Sequence, residues 1–307
     1  MLVKNYIFMA MLELLICRLI SFIHTMKLLV QSPLSIQSRL ADISEILGEI
    51  SAHPAHLIND TAAMFEIETE LSLDLKKQLD LEHIDFAVLE YFRTLSEFSL
   101  CVMDMDSTLI SIECIDELAD MCGKKEDVAS ITKSAMSGEI DFTQSLIQRV
   151  SLLEDLEEDM LFKVIEQRLT FNEGTQAWIE ACRKNNVTTA IVSGGFNYFV
   201  DYVKNKLEID VAISNQLEIK NKKLTGKILG RIINDEVKAQ TVRDFQAKLS
   251  IDKFQTIVIG DGANDLKMLA EAQYSIAYHA KPIVQEKARF QLNYSTFKGV
   301  LNLFKVK

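Results

Sequence analysis

Two carboxylates one residue apart, Asp104 and Asp106, stand where the apolar run 98–103 stops, in the stretch FSLCVMDMDSTLI. Such a run is long enough for a buried strand of a parallel sheet, and in open α/β sheets ligands collect just beyond the carboxyl ends of those strands. Side chains two apart on an extended chain face the same way, so two repelling carboxylates enter one small space unless a cation relieves them. A hard divalent ion such as Mg2+ is the usual remedy. A bare D-x-D more often marks a capped turn or a helix start. That bland reading weakens because the apolar run 256–259 ends the same way, at GDGAND, with Asp261 at the rim and Asn264 and Asp265 in the first turn of the next helix. Three or four carboxylates at the ends of separate strands carry more negative charge than a site holds without a metal.

Other candidates keep two readings. The helix opening near 235 has Val242, Phe245 and Leu249 on its inner face, and four residues back from Val242 is Lys238, on the buried side of the first turn. A lysine there either snorkels or sends its ammonium to a phosphate and a neighbouring aspartate. Ser193-Gly194-Gly195 follow the apolar run 187–192 and precede a helix near Phe196. A hydroxyl, close backbone approach and a helix N-terminus make a phosphate cradle, although glycines after a strand also simply turn the chain. Glu113 either faces a substrate cation or, as spacing alone favours, is ordinary helix-start acidity. Arg149, at the edge of the stripe containing Leu146 and Val150, either reaches water or grips an anion in an enclosed cavity.

The elements that must position these groups are a sheet and a long helical insertion, about 112–172, with apolar faces at Ile115, Leu118, Ala119 and Cys122 and at Phe142, Leu146, Val150 and Leu153. Strands are expected at 187–192, 211–213 and 275–277, a hairpin at 216–220 with 223–229, and an amphipathic C-terminal helix ending near Phe304. Residues 26–97 read as a small α+β domain, regulatory or dimerising, with strands at 28–30 and 63–67 and helices at 36–50 and 71–79. His53 and His56 flank Pro54 and read as exposed loop residues.

A chain of 307 residues, 48% hydrophobic, is long enough for a large domain with a smaller companion. A formal net charge of -11 argues against nucleic acid or an anionic membrane as partner. Five cysteines (Cys17, Cys101, Cys114, Cys122, Cys182) without C-x-x-C spacing read as reduced thiols of a cytoplasmic protein. Within 1–25 an apolar stretch is interrupted by Glu13 and Arg18, and a charge at bilayer centre costs about 2.5–3.5 kcal/mol. No stable membrane insertion is expected. Residues 1–25 are expected to be an upstream extension of the reading frame, with a membrane-associated helix as the alternative.

DMDSTLI, SGG, the isolated Lys238 and GDGAND occur in the order and spacing of the haloacid-dehalogenase-like phosphatases, which the chain resembles from about 98 to its C-terminus. DMDSTLISIECIDELAD, EIDFTQSLIQRVSLL, VSGGF, KLTGKILG and GDGANDLKMLAEA with AYHAKP resemble the branch that acts on O-phosphoserine. The resemblance implies a doubly wound parallel sheet with a helical cap inserted after the first strand, residues 98–307 forming that domain. It implies Asp104 as the nucleophile forming an aspartyl-phosphate and Asp106 as general acid and base with a raised pKa. Mg2+ is then held by Asp104, Asp261 and the backbone carbonyl of Asp106, supported by Asp265. Ser193, Gly194, Lys238 and Asn264 then bind the phosphoryl group, while Glu113 and Arg149 take the ammonium and carboxylate of phosphoserine. Met105 stands where phenylalanine is common in the family, with no loss expected. The resemblance leaves a homodimer open, and transfer of the phosphoryl group to another alcohol such as homoserine is the alternative to hydrolysis.

Overall fold

The computed structural model describes residues 26–51 and 54–305, so the expectations for 1–25 and for His53 lie outside the described residues. The chain divides into two compact units, Met1–Phe92 and Arg93–Lys307.

In the first unit the described elements are β1 (Met26–Gln31), α1 (Leu40–Leu47), β2 (His56–Asn59), β3 (Ala62–Ile67), α2 (Leu73–Leu81) and β4 (Asp85–Leu89). The sheet order is β2-β3-β1-β4, antiparallel throughout. Leu28, Val30, Ala63, Phe65 and Ile67 pack with Ile43, Leu47 and Leu79 of the helices. The helix expected over 36–50 is cut short because Gly48, at φ +51, leaves the helical region. Ser72 accepts a hydrogen bond from the Leu75 N–H and starts α2 two residues later than expected. His56 begins an edge strand, exposed, instead of lying in a loop.

In the second unit the elements are β5 (Leu100–Met103), α3 (Cys114–Met121), α4 (Lys125–Met136), α5 (Phe142–Ser151), α6 (Asp159–Gln167), α7 (Thr175–Lys184), β6 (Thr188–Phe196), α8 (Asn197–Leu207), β7 (Val211–Lys220), β8 (Lys223–Leu229), α9 (Asp235–Leu249), β9 (Thr256–Gly260), α10 (Leu266–Leu269), β10 (Tyr274–Tyr278), α11 (Pro282–Gln285), β11 (Phe290–Leu292) and α12 (Lys298–Leu301). Their sheet runs β11-β10-β9-β5-β6-β7-β8 and is parallel except for the β7–β8 hairpin. From β5 the chain builds outward through β6 and β7, then returns to β9 on the other side. That reversal opens a crevice at the carboxyl end of β5, where ligands bind in doubly wound sheets. Leu100, Val102, Ala190, Val192, Val258 and Ala277 of the strands share a core with Val237 and Val242 of α9 and Met268 of α10.

The helices α3–α6 form a cap between β5 and β6, and their segment leaves and rejoins the core through a narrow neck. There the Ser111 N–H donates to Thr170 O at 3.0 Å, and that of Asn172 to Leu109 O at 3.0 Å. The β7–β8 hairpin steadies the cap, because Asp155 donates to Leu224 O at 2.9 Å and Glu158 to Lys222 O at 2.8 Å. β7 runs unbroken where two segments were expected. The long C-terminal helix is absent: β11 and the one-turn α12 take its place, because the backbone there bonds to other elements. Phe297 donates to Glu173 O and Lys305 to Arg93 O, each at 2.8 Å, and Phe304 is buried against Phe98, Trp178 and Tyr274. Among the described residues no helix is long and apolar enough to cross a membrane.

Candidate active site

β5 and β9 are buried along their whole length, as expected of strands covered on both faces, and they deliver the first carboxylates. The Asp104 N–H donates to Ile259 O at 3.0 Å, extending the ladder one residue past β5. Its Oδ1 accepts from the Met105 N–H at 2.7 Å and its Oδ2 from Lys238 Nζ at 2.6 Å. Lys238 lies in the first turn of α9, started by Asn234, whose side chain accepts from the Val237 N–H. Its side chain is 0% exposed and also bonds Asp265 Oδ1 at 2.7 Å. The other Asp265 oxygen accepts from the N–H of Asp261 (3.1 Å) and of Gly262 (2.9 Å), folding the GDGAND loop around it. Thr108, in the turn after Asp106, donates its hydroxyl to Asp261 Oδ1 at 3.0 Å.

Asp104, Asp261 and Asp265 each bring an oxygen within 4.8 Å of the others. An all-oxygen, acidic donor set of this kind suits a hard cation such as Mg2+. Burial, reinforced by mutual repulsion, pushes Asp261 up to about 8 and Asp265 to about 7. For Lys238 burial disfavours the charge, but Asp104 and Asp265 outweigh it and raise the pKa above the ordinary lysine value.

Asp106 enters the same cavity as Asp104, but strand alternation is not what brings it there. The chain leaves β5 at Met103 and enters a turn in which Ser107 has φ +54, so period two no longer governs it. Asp106 Oδ1 accepts from the Cys114 N–H at 3.0 Å, at the start of α3. Burial and, next, the charge of Glu113 raise it to about 8. Gly195 is required beside it, since a Cβ there would lie 2.5 Å from Asp106 Oδ2. Gly194 meets the same limit on its other side, where a Cβ would lie 2.9 Å from Phe142 Cζ. Ser193, Gly194 and Gly195 lie within β6, which runs on to Phe196 instead of ending at 192, and its register with β7 shifts across them. Ser193 Oγ accepts from the Gly195 N–H at 2.9 Å, and Asn215 donates to Gly194 O at 2.8 Å while accepting from the Ile233 N–H at 2.9 Å.

The cap closes the crevice. Glu113 is the N-cap residue of α3 but makes no side-chain cap bond; its Oε1 accepts from Ser107 Oγ at 2.8 Å. Phe142, Ser145, Leu146 and Arg149 line the cavity from one face of α5, at helical spacing. Arg149 Nε is buried and has no hydrogen-bond partner among the described residues. The cavity, about 460 Å3, is lined by Asp104, Asp106, Glu113, Arg149, Ser193, Gly194, Asp261 and Asn264 together. Lys238 and Asp265 stand behind it, reaching it through Asp104 and the 261–262 backbone.

Thr108, Ser107 and Asn215 were not singled out from the sequence. The two hydroxyls sit inside the conspicuous DSTLI string, and Asn215 is a polar residue at 1% exposure in a strand, a signal that appears only once burial is known.

A family model for haloacid dehalogenase-like hydrolase matches residues 101–270. The chain belongs to the haloacid dehalogenase-like hydrolases. It is similar to a phosphoserine phosphatase of Haemophilus influenzae, 44% identical over 220 residues, which cover 72% of this chain and 70% of that protein. A phosphoserine phosphatase of Polaromonas is 43% identical over 216 residues, 69% of this chain and 92% of the relative. A crystal structure of a haloacid dehalogenase-like family hydrolase from Salmonella enterica serovar Typhi superimposes with a TM-score of 0.81 at 30% identity, covering 92% of this chain and 99% of that one.

Proposed function

We propose that this hydrolase cleaves O-phospho-L-serine to L-serine and phosphate through a phosphorylated Asp104. The observation that carries the reading is that one cavity holds Asp104, already bonded to Lys238, together with Glu113 and the unpartnered Arg149 Nε. A carboxylate, a phosphate-sized cradle and separate sites for an ammonium and a carboxylate are what hydrolysis of a phosphorylated amino acid requires.

In the first half-reaction an Asp104 carboxylate oxygen attacks phosphorus and the phosphorus–oxygen bond to serine breaks. Asp106, protonated near neutral pH, gives its proton to the departing serine oxygen. In the second, the Asp106 carboxylate takes a proton from water as that water attacks phosphorus; the bond to Asp104 breaks and phosphate leaves. With Oδ1 held by the Cys114 N–H, the proton travels on Asp106 Oδ2, beside Gly195. Ser193, Gly194 and Asn264 orient the phosphoryl oxygens, and Lys238, behind Asp104, offsets their charge. Asp104, Asp261 and the Asp106 carbonyl would hold Mg2+, with Asp265 bracing the loop; the ion would supply charge neutralisation at the phosphoryl group. Phosphate release from O-phospho-L-serine in the presence of Mg2+ tests the reading. Hydrolysis of p-nitrophenyl phosphate without any release from phosphoserine would refute it.

Removing the guanidinium in Arg149→Ala is expected to raise KM for phosphoserine about 10–100-fold, the worth of one charge-assisted hydrogen-bond pair, with kcat changed much less. The same variant should leave p-nitrophenyl phosphate, which has no carboxylate, nearly unaffected; equal losses on both substrates would contradict the assignment.

The metal-free protein should lose stability as pH rises. Asp106 and Asp261 keep their protons to about 8 and Asp265 to about 7, against about 4 in an unfolded chain. Between those values the folded state binds more protons than the unfolded one, so this contribution is complete below about pH 4 and is gone above about pH 8. Mg2+ competes with those protons, so the rise in Tm on adding Mg2+ to EDTA-treated protein is expected to be larger at pH 8 than at pH 6. Equal increments at the two pH values would exclude the link.

A further inference from the structure

Among the described residues lining the cavity, Arg149 and Lys281 are the cations; every other charged lining residue is acidic. The whole chain carries a formal net charge of -11. A doubly ionised phosphomonoester therefore approaches a repulsive protein and a largely acidic mouth, a setting in which one cation at the entrance changes capture more than chemistry.

Lys281 is fixed in position by its backbone. It follows β10, is the N-cap residue of α11 with Pro282 next, and donates its N–H to Asp261 O at 3.0 Å. Its side chain is exposed and its ammonium forms no ion pair with a described residue. Its charge nonetheless acts on Glu113 and Asp116, both on the cap side of the same cavity. Arg149 thus supplies positive charge from the cap and Lys281 from the sheet side. An ordinary surface lysine would be solvated and inert, but this one lines the mouth and is held to the backbone of a cavity carboxylate.

We infer that Lys281 is a substrate-recruiting residue, drawing the anionic groups of incoming phosphoserine into the mouth from the sheet side, opposite Arg149. This rests on the function proposed above. Lys281 acts before the chemical step, so its removal lowers kcat/KM and leaves kcat and Mg2+ dependence in place, because the bond to Asp261 uses the backbone and survives substitution.

The experiment measures kcat and KM for O-phospho-L-serine in wild type, Lys281→Gln, Lys281→Glu and Lys281→Arg at about 20 mM and about 300 mM ionic strength, which bracket strong and weak screening. Expected at low ionic strength is a fall in kcat/KM of about 5–10-fold for Lys281→Gln and more for Lys281→Glu, with Lys281→Arg near wild type. At high ionic strength the gap closes to about twofold, and kcat stays within about twofold throughout. A Lys281→Gln enzyme with wild-type kcat/KM at low ionic strength overturns the inference, as does a deficit that salt does not shrink. A wild type that hydrolyses p-nitrophenyl phosphate but not phosphoserine overturns the proposed function, and the inference with it, a result distinct from the other two.

Discussion

Asp104→Asn is expected to yield a folded protein that releases phosphate from phosphoserine at least about 10⁴-fold more slowly than wild type, because an amide nitrogen or oxygen does not replace a carboxylate as attacking group. The fold survives for a reason visible in the site. Asp104 accepts on both oxygens, from the Met105 N–H and from Lys238, so asparagine turns one contact into two facing donors, at a cost of about 1–3 kcal/mol. Against this, the variant removes one of the charges whose repulsion raises Asp261 and Asp265. Tm should therefore move by only a few degrees while turnover vanishes. Incubation with labelled phosphoserine should trap label on acid-quenched wild type and none on the variant. Turnover above about 1% of wild type would remove Asp104 from the role of nucleophile.

The parts of the site that could be read from the sequence are those tied to a chain rule. β5 and β9 announce themselves as unbroken apolar runs because both faces are covered, and their ends mark Asp104 and Asp261. Lys238 follows from helical spacing back from Val242, and its 0% exposure is what that spacing demands. Glu113 shows the limit of such rules. It is the helix-start acid that spacing favours, the N-cap residue of α3, yet its side chain bonds Ser107 and lines the cavity, which spacing alone does not show. Arg149 had two readings of equal standing from periodicity, and only the cavity wall shows its Nε buried without a partner. Thr108 reaches Asp261 across most of the domain's sequence, and no local pattern encodes such a bond. In the fold, β11 was missed because three residues are too few to show a period. The Asp85–Leu89 strand alternates buried and half-buried residues only in the structure; its sequence, one acid followed by four apolar residues, shows no period of two.

Lys238→Met should damage stability and activity together. The ammonium lies between Asp104 and Asp265 at 2.6 and 2.7 Å, with all three side chains at most 7% exposed. Removing one partner of a buried ionic cluster leaves uncompensated charge, an effect of about 3–5 kcal/mol, which for a domain of this size lowers Tm by roughly 10 °C. Activity should fall about 10³-fold or more, since the cation that offsets charge on the phosphoryl oxygens and on Asp104 is gone. A structural collapse and a catalytic loss can be told apart by combining the substitutions. In Asp104→Asn with Lys238→Met, the carboxylate that needs the ammonium most directly is already neutral. The second substitution should then cost less stability than it does in wild type, by at least about 1 kcal/mol of coupling. Additive losses would mean that Lys238 only fills space beneath the sheet rim. A coupling of the expected sign would show that its charge is held there by Asp104, the same pairing that leaves a carboxylate oxygen poised at the carboxyl end of β5.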